Sequence, residues 1–193
     1  MKKTILISFS ILIFNLSHSQ EKIGIFAGLN YSYFTDGILS QFLAENSLGL
    51  QIGALYEFEV NEKVAFRPKI AFSQQGDRTK TEQTGSLSLD KIDYELTYLN
   101  ASLDFKFWDE IYLITGPQIG FLLDQKPLSN DLGKIDSTID FGVNLGIGFK
   151  INEFFLELGL YQGLSTILEY ESITGNTTKV KNGFAKFTLG YNL

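Results

Sequence analysis

The sequence predicts an all-β fold: eight antiparallel strands closed into an up-and-down transmembrane barrel, with short periplasmic turns and long extracellular loops. Three observations carry that prediction. A short apolar leader marks the chain for export, apolar and polar residues then alternate with period two, and the connections between alternating segments are by turns short and long.

Lys2 and Lys3 precede the only long apolar run, Ile5 to Leu16, and Ser17-His18-Ser19 follows it. A basic start, a brief apolar stretch and small residues at the exit form a secretory signal peptide, not a spanning helix. The expected division is a signal peptide over residues 1–19, cleaved after Ser19, and one barrel domain over residues 20–193. With no Cys in the chain, neither a lipid-anchored cysteine nor a disulfide is available. Losing two lysines and no acid moves the formal net charge from −6 to about −8. So acidic a chain lacks the basic footprint that nucleic acid requires. It carries 17 Phe and 9 Tyr but no second apolar run of helix-spanning length. A soluble β-sandwich and a membrane barrel remain.

Each alternating segment can be read in order. The first sets Ile23, Ile25, Ala27, Leu29, Tyr31 and Tyr33 against Gly24, Phe26, Gly28, Asn30 and Ser32. The second sets Leu50, Ile52, Ala54, Tyr56, Phe58 and Val60 against Gln51, Gly53, Leu55, Glu57 and Glu59. In the third, Val64, Phe66, Pro68, Ile70 and Phe72 oppose Ala65, Arg67, Lys69, Ala71 and Ser73. The fourth opposes Leu99, Ala101, Leu103, Phe105 and Phe107 to Tyr98, Asn100, Ser102, Asp104 and Lys106. The fifth places Ile111, Leu113, Ile119, Phe121 and Leu123 opposite Tyr112, Gly116, Gln118 and Gly120. The sixth is the cleanest: Ile139, Phe141, Val143, Leu145, Ile147, Phe149 and Ile151 against Asp140, Gly142, Asn144, Gly146, Gly148 and Lys150. The seventh has Phe154, Leu156, Leu158, Leu160 and Leu164 opposing Glu157, Gly159, Tyr161 and Gly163. The last has Ala185, Phe187, Leu189, Tyr191 and Leu193 opposing Lys186, Thr188, Gly190 and Asn192.

Segments of roughly ten residues suit tilted strands crossing a bilayer. Asn61-Glu62-Lys63, Trp108-Asp109-Glu110 and Asn152-Glu153 read as tight turns, and loops 35–47, 76–93, 124–137 and 165–182 lie between them. Membrane barrels place short turns in the periplasm and long loops outside. A Greek-key sandwich has no reason to alternate in this way.

A string of short motifs spans nearly all of the chain after the leader: Gly28-Leu29-Asn30-Tyr31-Ser32, Ile52-Gly53, Pro68, Ser73-Gln74-Gln75-Gly76, Tyr98-Leu99, Gly116-Pro117-Gln118-Ile119-Gly120, Gly146-Ile147-Gly148 and Tyr161-Gln162-Gly163-Leu164-Ser165. In this order they resemble the PorT-like outer-membrane β-barrel domain family. The chain departs from that pattern at Pro68-Lys69-Ile70, where members often read Pro-Glu-Leu, and at Asn100-Ala101, where a Pro is missing after Tyr98-Leu99. The resemblance implies outer-membrane location; the family's namesake is tied to a protein-secretion system. Lys186, Tyr191 and Leu193 also resemble the C-terminal signal read by the barrel-insertion machinery. Thr188 stands where Gly is usual, and Leu193 replaces the usual terminal Phe.

Catalytic chemistry is scarce. The sole His is His18, inside the leader, so a His base, a thiol and His-rich metal sites are all unavailable beyond it. Gly163-Leu164-Ser165 lacks the second Gly of a nucleophile elbow and any helix to follow. Gly142, Gly146 and Gly148 likewise precede no helix, and read as room for interior side chains in a narrow barrel. Asn130-Asp131, Glu169 and Glu171 offer oxygen ligands but match no calcium-loop spacing. Ile38, Leu39, Phe42 and Leu43 recur at helical spacing in the first loop, as a cap on the barrel mouth, a turn resting at the headgroup layer or a docking surface. No catalytic, metal or cofactor residue is assigned.

Two structural sets are predicted instead. The inward positions carry Glu57, Glu59, Asp104, Asp140 and Glu157 with Arg67, Lys69, Lys106, Lys150 and Lys186, a balanced set suited to a closed lumen cross-linked by ion pairs. A first turn centred on Glu62 puts Glu57 directly across from Arg67. Phe58, Phe66, Phe105, Phe107, Phe149, Phe154 and Tyr191 fall at the turn ends on the lipid face, as a periplasmic aromatic girdle. The expected protein is a non-enzymatic barrel of a Gram-negative outer membrane, with a structural or surface-interaction role through its loops. An accessory of an envelope secretion or transport machine, and a small pore, are the alternatives. Expected partners are outer-membrane lipid, the barrel-insertion machinery and other envelope proteins, without cofactors or nucleic acid.

Overall fold

The computed structural model describes residues 21–35, 47–77, 94–127, 135, 137–171 and 177–193. The predicted leader, the apolar set Ile38, Leu39, Phe42 and Leu43, and Asn130-Asp131 lie outside the described residues. The strands are β1 (Glu21–Thr35), β2 (Ser47–Asn61), β3 (Val64–Asp77), β4 (Tyr94–Phe107), β5 (Ile111–Pro127), β6 (Ile139–Ile151), β7 (Phe154–Gly163), β8 (Leu168–Glu171) and β9 (Thr177–Asn192).

Strands β1 to β7 pair in chain order, β9 follows β7, and β9 pairs back onto β1. Every pairing is antiparallel, so eight strands form a closed wall and leave no open edge around it. The seam runs from Gly24 opposite Asn192 to Thr35 opposite Lys181. At the turn end, the Asn192 amide donates to the Glu153 carbonyl at 2.8 Å and the Leu193 amide to the Ile23 carbonyl at 2.7 Å. Asn152 enters its two-residue turn at a φ of 55°, a left-handed value that Asn tolerates well.

Along β6 the alternation leaves Ile139, Phe141, Val143, Leu145, Ile147, Phe149 and Ile151 42–58% exposed, while Asp140, Gly142, Asn144, Gly146 and Gly148 are buried. A soluble sheet does the reverse. The same inversion places Ile25, Ile52, Ile70, Leu103, Leu158 and Leu189 on the outside of their strands. An apolar band this continuous needs lipid against it.

Two features depart from the expected layout. Most strands run 13–17 residues, longer than a bilayer crossing of roughly ten, and the surplus lies at the loop end. The connection over 165–182, expected as a loop, contains β8, which pairs Leu168–Glu171 with Thr177–Val180 of β9. The reason is local packing. Ile167, Leu168 and Val180 turn inward onto Phe34, Tyr94, Leu96, Tyr98 and Ile135, which gives this extension a buried apolar face of its own.

Candidate functional site

The lumen is where the strands bring polar chemistry together. Phe58 stands opposite Phe66 and Leu55 opposite Lys69, a register that sets Glu57 across from Arg67. Arg67 Nε lies 3.0 Å from Glu57 Oε2, and its Nη1 reaches across the lumen to Glu157 Oε1 at 2.6 Å. Lys69 Nζ bridges Glu157 Oε2 at 2.9 Å and Asp104 Oδ2 at 3.2 Å. Lys106 Nζ meets Glu57 Oε1 at 3.2 Å. The Tyr112 hydroxyl donates to Glu157 Oε1 at 3.0 Å. Six charges from β2, β3, β4 and β7 thus form one buried network, in which each carboxylate meets at least one cation. Burial makes those pairs costly to break, because a partner left alone cannot recover its hydration. The Arg67 guanidinium also sits 5.5 Å from the centre of the Tyr112 ring and 5.1 Å from that of Phe155.

The other four predicted lumen charges lie apart from this core. Glu59 pairs at 2.7 Å with Lys22 at the turn-end mouth. Lys150 approaches Asp109 at 3.6 Å, and Lys106 donates to the same carboxylate at 2.9 Å. That bond, with the charges of Lys106 and Lys150, holds the Asp109 carboxyl below the usual aspartate range. Asp140 has neutral partners instead: the Ser165 hydroxyl at 2.8 Å and the Asn182 amide at 3.2 Å. Lys186 donates to Asn144 Oδ1 at 2.9 Å, and Asn144 in turn donates to Asp104 at 3.2 Å. The ten predicted charges thus divide into a six-member cluster and four positions with other partners. Face alone cannot say at what height along the barrel a charge sits, and none of these four pairs directly with a charge of the central cluster.

Above the charges come amides and hydroxyls. Asn30 donates to the Ser73 hydroxyl at 2.8 Å, and Asn182 donates to Gln75. The apolar cluster around Leu96, Tyr98 and Ile167 fills the loop end beyond them. Aromatic rings fill the remaining width, and two glycines make room for them. A Cβ on Gly148 would lie 2.2 Å from Tyr112 ring atoms, and one on Gly190 would lie 2.0 Å from Phe155.

On the outer face, the turn end carries a chain of rings. Phe58 and Phe66 centroids are 6.3 Å apart, Phe66 and Phe105 5.4 Å, and Phe154 and Tyr191 5.0 Å. Phe107 lies 6.4 Å from Trp108, and Phe149 stands opposite Ile111 and Leu156. Tyr191 sits across from Ile25 and Leu193 is exposed at the chain end. Glu169 meets Lys179 at 3.5 Å on the β8–β9 hairpin. Sequence reasoning missed Tyr112, Asn144, Asn182 and Gln75 as members of the lumen network. Strand parity marks Tyr112 and Asn144 as inward, but a search for charges passes over them.

Residues 18–169 match the family described as "Outer membrane protein beta-barrel domain". Among solved structures, Neisserial surface protein A is similar over 89% of this chain and 96% of that one, at 14% identity and a TM-score of 0.51. A major outer membrane protein from Thermus thermophilus is similar over 90% of this chain and 100% of that one, at 13% identity and a TM-score of 0.50. Likeness at such identities concerns the fold alone. No curated protein matches the chain.

Proposed function

Because the chain belongs to the outer membrane protein beta-barrel domain family, we propose that it works as a closed, non-conducting barrel whose loop end is its working surface. It contacts other envelope components there and catalyses nothing. The observation that carries this reading is that the lumen is obstructed twice. The Glu57–Arg67–Glu157–Lys69 cluster spans it near the turn end, and the Leu96–Tyr98–Ile167–Leu168 cluster fills the loop end. An ion on this path must disrupt a buried network and then shed its water in an apolar plug. Planar-bilayer recordings of the purified protein test the reading: the expected result is a silent membrane, and steady unit conductance would overturn it.

The leader supports export with cleavage after Ser19, and N-terminal sequencing of the mature protein checks that position. The finer resemblance, to the PorT-like domain, bears on a secretion role. Its motifs supply Asn30, Ser73, Gln75 and Gln118, all buried in the lumen, so packing alone accounts for them and they argue for the fold. Crosslinking in cells separates the two readings. Recovery of secretion-machine components would favour the accessory role over an independent surface protein.

A further inference from the structure

Beside the central charges lies a small cavity at mid-height, walled by Lys69, Lys186, Asn100, Ser102, Gln118 and Thr188, with Phe26, Ala71 and Phe184 closing it. Its charge is unbalanced. Lys69 and Lys186 line it against the single carboxylate Glu157, while Arg67 and Lys106 pair with carboxylates beside it. Arg67, Lys69 and Lys106 each touch a carboxylate. Among the described residues no carboxylate lies within 4 Å of Lys186 Nζ, whose bond is to the neutral Asn144 amide. An ammonium has three protons to donate, so two remain.

The wall is rich in further donors. The side chains of Asn100, Ser102 and Gln118 are buried, and none has a side-chain hydrogen bond among the described residues. Thr188 accepts from Gln51 at 2.8 Å, which leaves its own proton free. Glu157 also touches the cavity, but Arg67 and Tyr112 occupy one oxygen and Lys69 the other. A cation with no carboxylate partner, beside amide and hydroxyl donors that have no partner of their own, points to an anion site. Size narrows the ligand. The cavity is about 20 Å³, room for one small sphere and too little for a phosphate or an organic acid.

We propose that this cavity binds one monovalent halide, chloride in its native setting, held by Lys186 with Ser102, Asn100 and Gln118. The ion removes the penalty of an ammonium enclosed without a counter-charge. The site does not depend on the loop-end reading, since conductance would sink the closed lumen yet leave a halide at Lys186.

The test uses the full folded protein in detergent. Crystals grown in bromide should show an anomalous peak in contact with Lys186 Nζ. The thermal unfolding midpoint should rise saturably with chloride or bromide when gluconate holds ionic strength constant. Lys186→Met should abolish both the peak and the halide dependence. Should that variant fail to fold, Ser102→Ala keeps the ammonium and should shift the halide saturation curve to higher concentration. Water density in place of an anomalous peak, or a midpoint indifferent to halide, overturns the proposal.

Discussion

Arg67→Ala is the sharpest test of what the lumen contributes. The guanidinium is 1% exposed and joins Glu57 at 3.0 Å to Glu157 at 2.6 Å. Breaking a buried pair by deleting one partner costs about 3–5 kcal/mol. Here the survivors are not stranded. Glu157 keeps Lys69 at 2.9 Å and Tyr112 at 3.0 Å, and Glu57 keeps Lys106 at 3.2 Å, which argues for the lower part of that range. Loss of the contacts with Tyr112 and Phe155 adds about 0.5–2 kcal/mol. A destabilisation of about 3–5 kcal/mol follows. Trp108, the only tryptophan and exposed at the turn end, provides the fluorescence signal for denaturant unfolding in lipid vesicles. Adding Glu57→Ala should restore part of the loss, with a coupling of about 0.5–3 kcal/mol. The reasoning is refuted if Arg67→Ala stays within about 1 kcal/mol of the parent, or if the two single losses simply add.

The outer face, the glycine slots and the turn-end acid give three further tests. Leu145→Arg, near mid-strand, should impair assembly by about 2–4 kcal/mol, and Phe149→Ala in the ring belt by much less; the heat-modifiable gel shift of folded barrels reads both, and equal effects would mean the depths are misassigned. Gly148→Ala pushes a Cβ into the Tyr112 ring and should cost about 1–3 kcal/mol in the same unfolding assay, with a neutral result showing that Tyr112 has room to move. Asp109 has its carboxyl held below the ordinary 3.8 by Lys106, so its contribution is present above the unfolded value and lost as acidification passes the folded one. The stability difference between the parent and Asp109→Asn should therefore be flat near neutrality and disappear only below about pH 4; it is small, because Asp109 is exposed, and a difference that changes between about pH 6 and 8 would contradict the assignment.

Most of the fold was legible because period-two alternation reports facing directly. Ile139 through Ile151 could be assigned to two faces without any partner strand, and short turns fixed the register of Glu57 against Arg67. Height along the axis was less legible. Asp140 and Arg67 share a facing rule, yet one ends among Ser165 and Asn182 and the other among Glu57 and Glu157. Alternation also stops being informative where lipid ends. Past the bilayer the wall faces water, so Ile167, Leu168 and Val180 bury inward like an ordinary soluble core, and β8 was read as loop for that reason.

This change of rule along one barrel explains where its stability resides. Within the bilayer, outward Leu and Ile exchange one apolar environment for another, so their placement selects orientation more than it drives folding. The wall there is held by its closed ladder of backbone bonds, which lipid cannot replace, and by the ion pairs inside. At the loop end water returns on the outside, and the hydrophobic effect again rewards an apolar interior. The lumen accordingly passes from charged (Arg67, Glu157) through amide and hydroxyl (Asn30, Ser73, Gln75) to apolar (Leu96, Ile167) toward the loops. Shortening β8 and the facing part of β9 should thus open the apolar plug to solvent and leave the central ion pairs in place, because the two clusters share no residue.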